Sequence, residues 1–119
     1  MTHYNKQYVT DIKTKKGIEG KTIILTGDND EDFDLDDIFS SSITDEDYGL
    51  LILKETTDSD TGVFLIAGGS IELLTGISEI YSTTKNSINK YNVYFENNII
   101  KVQNKIGNNK NITIGIYKI

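Results

Sequence analysis

The chain has 119 residues, a formal net charge of −6, and no arginine, proline, cysteine or tryptophan. One domain of this length buries about two-thirds of its unfolded surface without covalent staples, and the lack of cysteine excludes a disulfide framework and a thiolate metal site. Net acidity without arginine argues against nucleic acid, whose phosphates and base edges are gripped by arginine forks and basic patches.

The first 16 residues are polar and weakly periodic. They read as an N-terminal arm or linker, followed by a single domain over 17–119. The opening "MTHYNKQY" lacks the charged and apolar regions of a secretory leader, and no apolar run approaches the ~18 residues that cross a bilayer. The expectation is a soluble chain without membrane insertion. Charge is unevenly spread. Residues 28–60 carry thirteen acids and one lysine, whereas 1–21 and 85–119 are net basic. The Lys/Asn/Ile/Tyr bias has a plain source in an A+T-rich genome, and the 19 isoleucines favour strands.

"TIILT" (Thr22–Thr26) is the first strand candidate. "GDNDEDFDLDDIF" (Gly27–Phe39) then places seven acids in ten residues. As a helix-loop-helix calcium loop, Asp28, Asp30 and Asp32 fit positions 1, 3 and 5. The sharp-turn position holds Phe33 in place of glycine, and the bidentate position holds Phe39. That motif is rejected; an irregular calcium site on Asp28, Asp30 and Asp32 is the weaker alternative. The favoured reading is a helical turn near 34–40. Leu35, Ile38 and Phe39 recur at i, i+3 and i+4, with Asp34 as N-cap and Asp36 and Asp37 complementing the helix dipole.

"YGLLILKE" (Tyr48–Glu55) and "VFLIA" (Val63–Ala67) flank the polar loop "TTDSDTG" and are apolar on both faces, as strands covered on both sides are. "SIELL" (Ser70–Leu74) is a further strand, set off by a tight turn at Gly68-Gly69. "YNVYFE-NN-IIKVQN" (Tyr91–Asn104) reads as a hairpin about Asn97-Asn98, because asparagine tolerates the positive φ of a two-residue turn. That register puts Phe95 opposite Ile100 and Val93 opposite Val102 on an apolar face. Tyr94 opposite Lys101 and Asn92 opposite Gln103 form a mixed polar face turned to solvent, as in a half-buried antiparallel pair. If Phe95 packs with Ile100 in the core, Phe95→Ala costs about 3–5 kcal/mol. After a turn at Gly107–Lys110, Ile112, Ile114 and Ile116 alternate with Thr113, Gly115 and Tyr117 in a last strand. The predicted architecture is all-β: an antiparallel, jelly-roll-like β-sandwich with one short helical turn.

Catalytic chemistry finds little support. The one histidine, His3, lies in the arm, no thiol nucleophile exists, and no carboxylate pair sits in an apolar setting that would raise its pKa. The glycine pair is not followed by the helix of a phosphate cradle. "NIT" (Asn111–Thr113) matches a glycosylation acceptor by coincidence in an Asn-rich chain. Tyr81, Tyr91, Tyr94 and Tyr117 are candidates for a glycan-stacking surface, against the commoner role of sheet tyrosines with a wet hydroxyl.

The order "DLDDI", "YGLLIL", "TGVFLIAGGSIELL" and "NKYNVYFENNIIKVQNKIGNNKNITIGIYKI" resembles small β-sandwich domains of bacteriophage tail-fibre, baseplate and head-fibre proteins, over residues 34–119. It departs from their "DLN"-like turn at Asp36 and Asp37. The resemblance implies a non-enzymatic virion component, assembled in the host cytoplasm, with no cofactor. It further implies a homotrimer at a fibre tip or on the capsid, other virion proteins met through the arm with its Lys13, Lys15 and Lys16, and contact with a host glycan or protein. The two-sided apolar strands agree with a subunit interface, for which Leu51, Leu53, Phe64 and Ile66 are the candidates. The alternative is a free-standing carbohydrate- or calcium-binding β-sandwich.

Overall fold

The computed structural model describes residues 18–25, 33–37, 39, 43–56 and 60–119. The described residues form nine strands: β1 (Ile18–Leu25), β2 (Phe33–Asp34), β3 (Tyr48–Glu55), β4 (Thr61–Ala67), β5 (Ser70–Thr75), β6 (Tyr81–Ser82), β7 (Tyr91–Glu96), β8 (Ile99–Asn104) and β9 (Lys110–Lys118). They form a five-stranded sheet in the order β1-β9-β3-β4-β5 and a four-stranded sheet in the order β2-β8-β7-β6. All pairings are antiparallel except β6 with β7. The fold is therefore the expected β-sandwich.

The predicted hairpin is present in the predicted register. Phe95 faces Ile100, Val93 faces Val102, Tyr94 faces Lys101 and Asn92 faces Gln103. Asn97 and Asn98 turn at φ 54° and 66°, a left-handed pair whose twist matches that of the flanking strands. The β4–β5 turn uses Gly68 and Gly69 in the same way, at φ 53° and 92°.

The core is one layer between the sheets. The five-stranded sheet contributes Leu51, Leu53, Phe64, Ile66, Ile112, Ile114 and Ile116, and the other contributes Tyr91, Val93, Ile100 and Val102, all buried. The acidic stretch enters this layer as expected of its apolar residues. A 3-10 turn at Leu35–Asp37 is followed by a Phe39 N–H bond to the Leu35 carbonyl at 3.0 Å, and both side chains are buried. Asp34 lies in β2, its carboxylate 3.5 Å from Lys101 Nζ. The arm, with His3, Lys13, Lys15 and Lys16, and the acids Asp28, Asp30 and Asp32 lie outside the described residues.

Two expectations are corrected. Phe95 is half-buried at the margin of the core, so the cost of removing it falls below that of a central residue. The polar face of the hairpin is not solvated: Asn92 and Gln103 are fully buried and Tyr94 nearly so. The segment 83–90 covers that face. Gln103 Oε1 accepts from the Asn86 backbone N–H at 2.8 Å and from Asn92 Nδ2 at 3.0 Å. Gln103 Nε2 donates to Asn86 Oδ1 at 3.0 Å, and Asn92 Nδ2 to the Ser87 carbonyl at 3.0 Å. Asn86 and Asn89 take positive φ, which lets the segment fold back over the sheet. Alternation of polar residues signals a wet face only when no other segment brings matching amides to it.

Candidate interaction surface

A strand has two faces, and the register decides which one meets the core. In β3 and β4 the inward set is Leu51, Leu53, Phe64 and Ile66, each at most 1% exposed. These four interface candidates are consequently held within one chain and are not available to a neighbour. Their alternates, Leu50 and Ile52 on β3 and Val63 and Leu65 on β4, point away from the core. Leu50 pairs with Leu65 and with Tyr117 of β9, while Ile52 pairs with Val63 and with Gly115. Leu50, Val63 and Leu65 are half-buried by their neighbours in the sheet, and Ile52 is 38% exposed.

The outer face of the five-stranded sheet thus carries an apolar centre, extended by exposed Tyr48, Tyr117 and Leu74. Gly115 pairs with Gly20 across β9 and β1, so the sheet has a side-chain-free dent beside Ile52. Polar groups rim this centre: Lys54, Glu72, and the Thr22–Thr113 hydroxyl pair at 2.9 Å. Ile52, Tyr117, Leu74 and Tyr48 on this face are each open to solvent. Its dimensions follow from the lattice of a sheet: five strands and about six residues span roughly 24 × 20 Å, or about 480 Å² in flat projection. The apolar centre is a part of that area, and the largest apolar patch that a soluble monomer exposes is often functional.

A second feature lies at the seam between the sheets. A groove of about 270 Å³ is lined by Gly69 at the β4–β5 turn, Ile71 of edge strand β5, Thr83 just past β6, and Tyr94 and Phe95 of β7. It opens where β6 ends, since β6 pairs with β7 only through Tyr81–Tyr91 and Ser82–Asn92.

The tyrosines do not form a stacking platform. Tyr81 and Tyr91 are buried in the core, their rings 5.9 Å apart, with Phe64 edge-on to Tyr81 at 6.1 Å. Tyr81 fills a slot between Gly62 and Gly76, where an added Cβ would come within 2.7 and 2.9 Å of its ring. Its hydroxyl donates to the Asp60 carbonyl at 3.3 Å, and that of Tyr91 to Glu55 Oε2 at 3.2 Å. Tyr94 is 6% exposed under Lys85, whose Nζ is 5.8 Å from the ring centre. Of the four glycan candidates, Tyr117 alone is exposed.

The charged groups form local pairs with structural roles. Glu96 is bound by Lys85 Nζ at 2.6 Å and Lys101 Nζ at 3.3 Å, and these hydrogen bonds, the Lys85 bond first, lower its pKa. Burial works against the charge on Lys101, but Glu96 and Asp34 outweigh it and raise its pKa. Asp47 accepts the Thr44 backbone N–H at 2.7 Å, which, with Lys118 at 3.3 Å, holds its carboxyl below the ordinary value. Among the described residues no group of three or more His, Asp or Glu side chains is placed to hold a metal ion.

A scan against protein-family models and searches of curated proteins and of solved structures found no match to this chain.

Proposed function

We propose that the chain is a non-enzymatic structural module of a bacteriophage particle surface, a fibre, decoration or receptor-binding module that assembles as a homotrimer. The observation that carries the assembly part is the outer face of the five-stranded sheet. Its centre of Leu50, Ile52, Val63 and Leu65 is apolar, its rim is polar, and Ile52, Tyr48 and Tyr117 on it are exposed. That layout of apolar middle and polar border is the anatomy of a subunit interface. Around a three-fold axis a face of about 480 Å² in flat projection can meet two neighbours, each through a different part of it, as a closed ring requires. The phage assignment and the three-fold stoichiometry rest on the sequence resemblance over residues 34–119.

Sedimentation velocity of the purified chain, with calcium and with chelator, tests this reading. The expected result is a trimer indifferent to calcium that Ile52→Lys converts to monomer without changing the far-ultraviolet circular dichroism. A monomer at all accessible concentrations overturns the assembly reading. A monomer that gains stability only in calcium moves the free-standing calcium- or carbohydrate-binding module into its place.

A further inference from the structure

We infer that the groove at the seam between the sheets is a binding site for one neutral hexopyranose ring, held through a pair of neighbouring hydroxyls. The site lies on a different surface from the outer sheet face and does not depend on the assembly proposed there. Three observations lead to it.

The first is where the groove runs. Tyr94 and Phe95 are consecutive and point to opposite faces of β7, yet both line it, so it follows the edge of the strand, where the main chain lies. Glu96 and Ile99 flank a two-residue turn and form a hydrogen-bonded pair, so Tyr94 and Asn92 aim their main-chain groups at β8. Tyr91, Val93 and Phe95 aim theirs at the other edge, in keeping with the Tyr91 N–H bond to the Ile80 carbonyl at 2.8 Å. β6 ends at Ser82, opposite Asn92, and the turn begins at Asn97. Phe95 is thus the outward-aimed residue that lies past the end of β6, and its N–H and C=O face the groove.

The second observation is the chemistry that this edge asks for. The N–H and C=O of one extended residue lie side by side and point the same way. Neighbouring hydroxyls of a pyranose are spaced to match them. One accepts from the N–H and the next donates to the C=O, because a hydroxyl does either. An added peptide strand would use such groups at every second residue along an edge. Between the end of β6 and the turn, the described edge offers one residue's pair, enough for a ring and too little for an added strand.

The third is the lining. Ile71 comes from one sheet and Phe95 from the other, both half-buried, so the groove has an apolar residue on each side. Thr83 brings an exposed hydroxyl, and Gly69 leaves one end without a side chain. A ring with all its substituents equatorial presents C–H groups on both faces, one face to each apolar residue, and turns its hydroxyls to Thr83 and the Phe95 main chain. The five lining residues carry no charge, so nothing among them compensates the charge of an acidic or amino sugar. At about 270 Å³ the groove falls just below the ~300–1,000 Å³ of pockets that enclose drug-sized ligands, which is room for one ring and not for a chain of them.

Titration of the isotope-labelled full chain with methyl β-glucopyranoside, whose ring substituents are all equatorial, tests this by nuclear magnetic resonance. The expected result is movement of the Gly69, Thr83 and Phe95 amide signals with a dissociation constant on the order of 1 mM, as an uncharged ligand of this size gives. Tetrahydropyran-2-methanol, a ring without the neighbouring hydroxyls, leaves those signals in place. Thr83→Val keeps the shape, removes the hydroxyl and weakens binding about three- to tenfold. Thr83→Trp fills the groove from an exposed position and abolishes binding, and both variants melt with the parent chain. Three amides that stay in place under the glucoside overturn the inference, as does an equal response to the ring without hydroxyls, or undiminished binding by Thr83→Trp. A blocked valine dipeptide that moves the same amides more strongly than the glucoside also overturns it and makes the edge a strand-addition site. Sedimentation keeps the two readings apart: Thr83→Trp is expected to match the parent chain, and a changed oligomeric state would make the groove a subunit contact and overturn the sugar site.

Discussion

Adjacent residues of β3 should respond to truncation in opposite ways. Leu51 is 0% exposed between the sheets, and Ile52, the next residue, is 38% exposed on the outer face. Leu51→Ala removes three buried carbons at ~0.8 kcal/mol each, or ~2.4 kcal/mol. A residual cavity of about 60 Å³ at ~24 cal/mol per Å³ adds roughly 1.5 kcal/mol, for a total near 4 kcal/mol. Ile52→Ala removes as many carbons from a site open to solvent. No cavity forms, part of the side chain was already wet, and the cost is about 1 kcal/mol or less. Urea unfolding followed by circular dichroism at low protein concentration measures both, with an unchanged m-value as the check on two-state behaviour. Sedimentation at high concentration supplies the converse: Ile52→Ala weakens association and Leu51→Ala, where it folds, does not. Equal destabilisation by the two substitutions would refute the assignment of faces.

Phe95→Ala is expected to cost about 1–2 kcal/mol, below the ~3–5 kcal/mol of a central phenylalanine, because the ring sits at the half-buried margin of the core; urea midpoints measure it. Asn104 donates from Nδ2 to the Leu25 carbonyl at 3.0 Å and the Asn108 carbonyl at 2.7 Å, and accepts from the Ile106 N–H at 2.9 Å. Asn104→Leu strands these main-chain groups and should cost about 2–4 kcal/mol, seen as early exchange of the amides around Leu25 and Lys110. At Asn98, held at φ 66°, Asn98→Gly should leave stability within a few tenths of a kcal/mol while Asn98→Val costs about 1–2 kcal/mol, by thermal melts. Asp47 and Glu96 have lowered pKa values, so they bind protons more readily when unfolded. Their contribution is present above the ordinary carboxylate pKa and is lost as pH falls through the depressed values. The urea midpoint should therefore drop below about pH 4, and Asp47→Asn should flatten that drop; an equally steep profile in the variant would count against the Thr44 and Lys118 contacts as its source.

How much of this was legible in the sequence depended on whether one face of a strand differed from the other. The β7–β8 hairpin combines a turn dipeptide with clean alternation, and both turn and register followed from it. Strands β3 and β4 are apolar on both faces, so their extent was readable but their phase was not. The phase is set by pairing with β9, whose isoleucines Ile112, Ile114 and Ile116 occupy one face only. The sequence-based interface candidates Leu51, Leu53, Phe64 and Ile66 consequently fall on the inward set. The two-residue strands β2 and β6 carry no periodic signal at all. The tyrosines misled because burial of a phenol depends on remote glycines and acceptors: Gly62, Gly76 and Asp60 for Tyr81, and Glu55 for Tyr91. The groove had no signal in the sequence, because it opens where the two-residue β6 ends beside the six-residue β7.

The placement of β9 between β1 and β3 also fixes the order in which the sheet can close. The β3–β4–β5 meander and the β7–β8 hairpin join neighbours in sequence and can form as soon as their own residues exist. β1 pairs only with β9 among the described strands, Leu25 with Lys110 and Ile18 with Tyr117. Until residues 110–118 leave the ribosome, β1 has no partner and β3 shows an open edge whose side chains are apolar on both sides. Such long-range closure belongs to the millisecond-to-second range of β-rich folding. A nascent chain stopped short of Lys110 would then expose a sticky edge rather than a smaller stable domain.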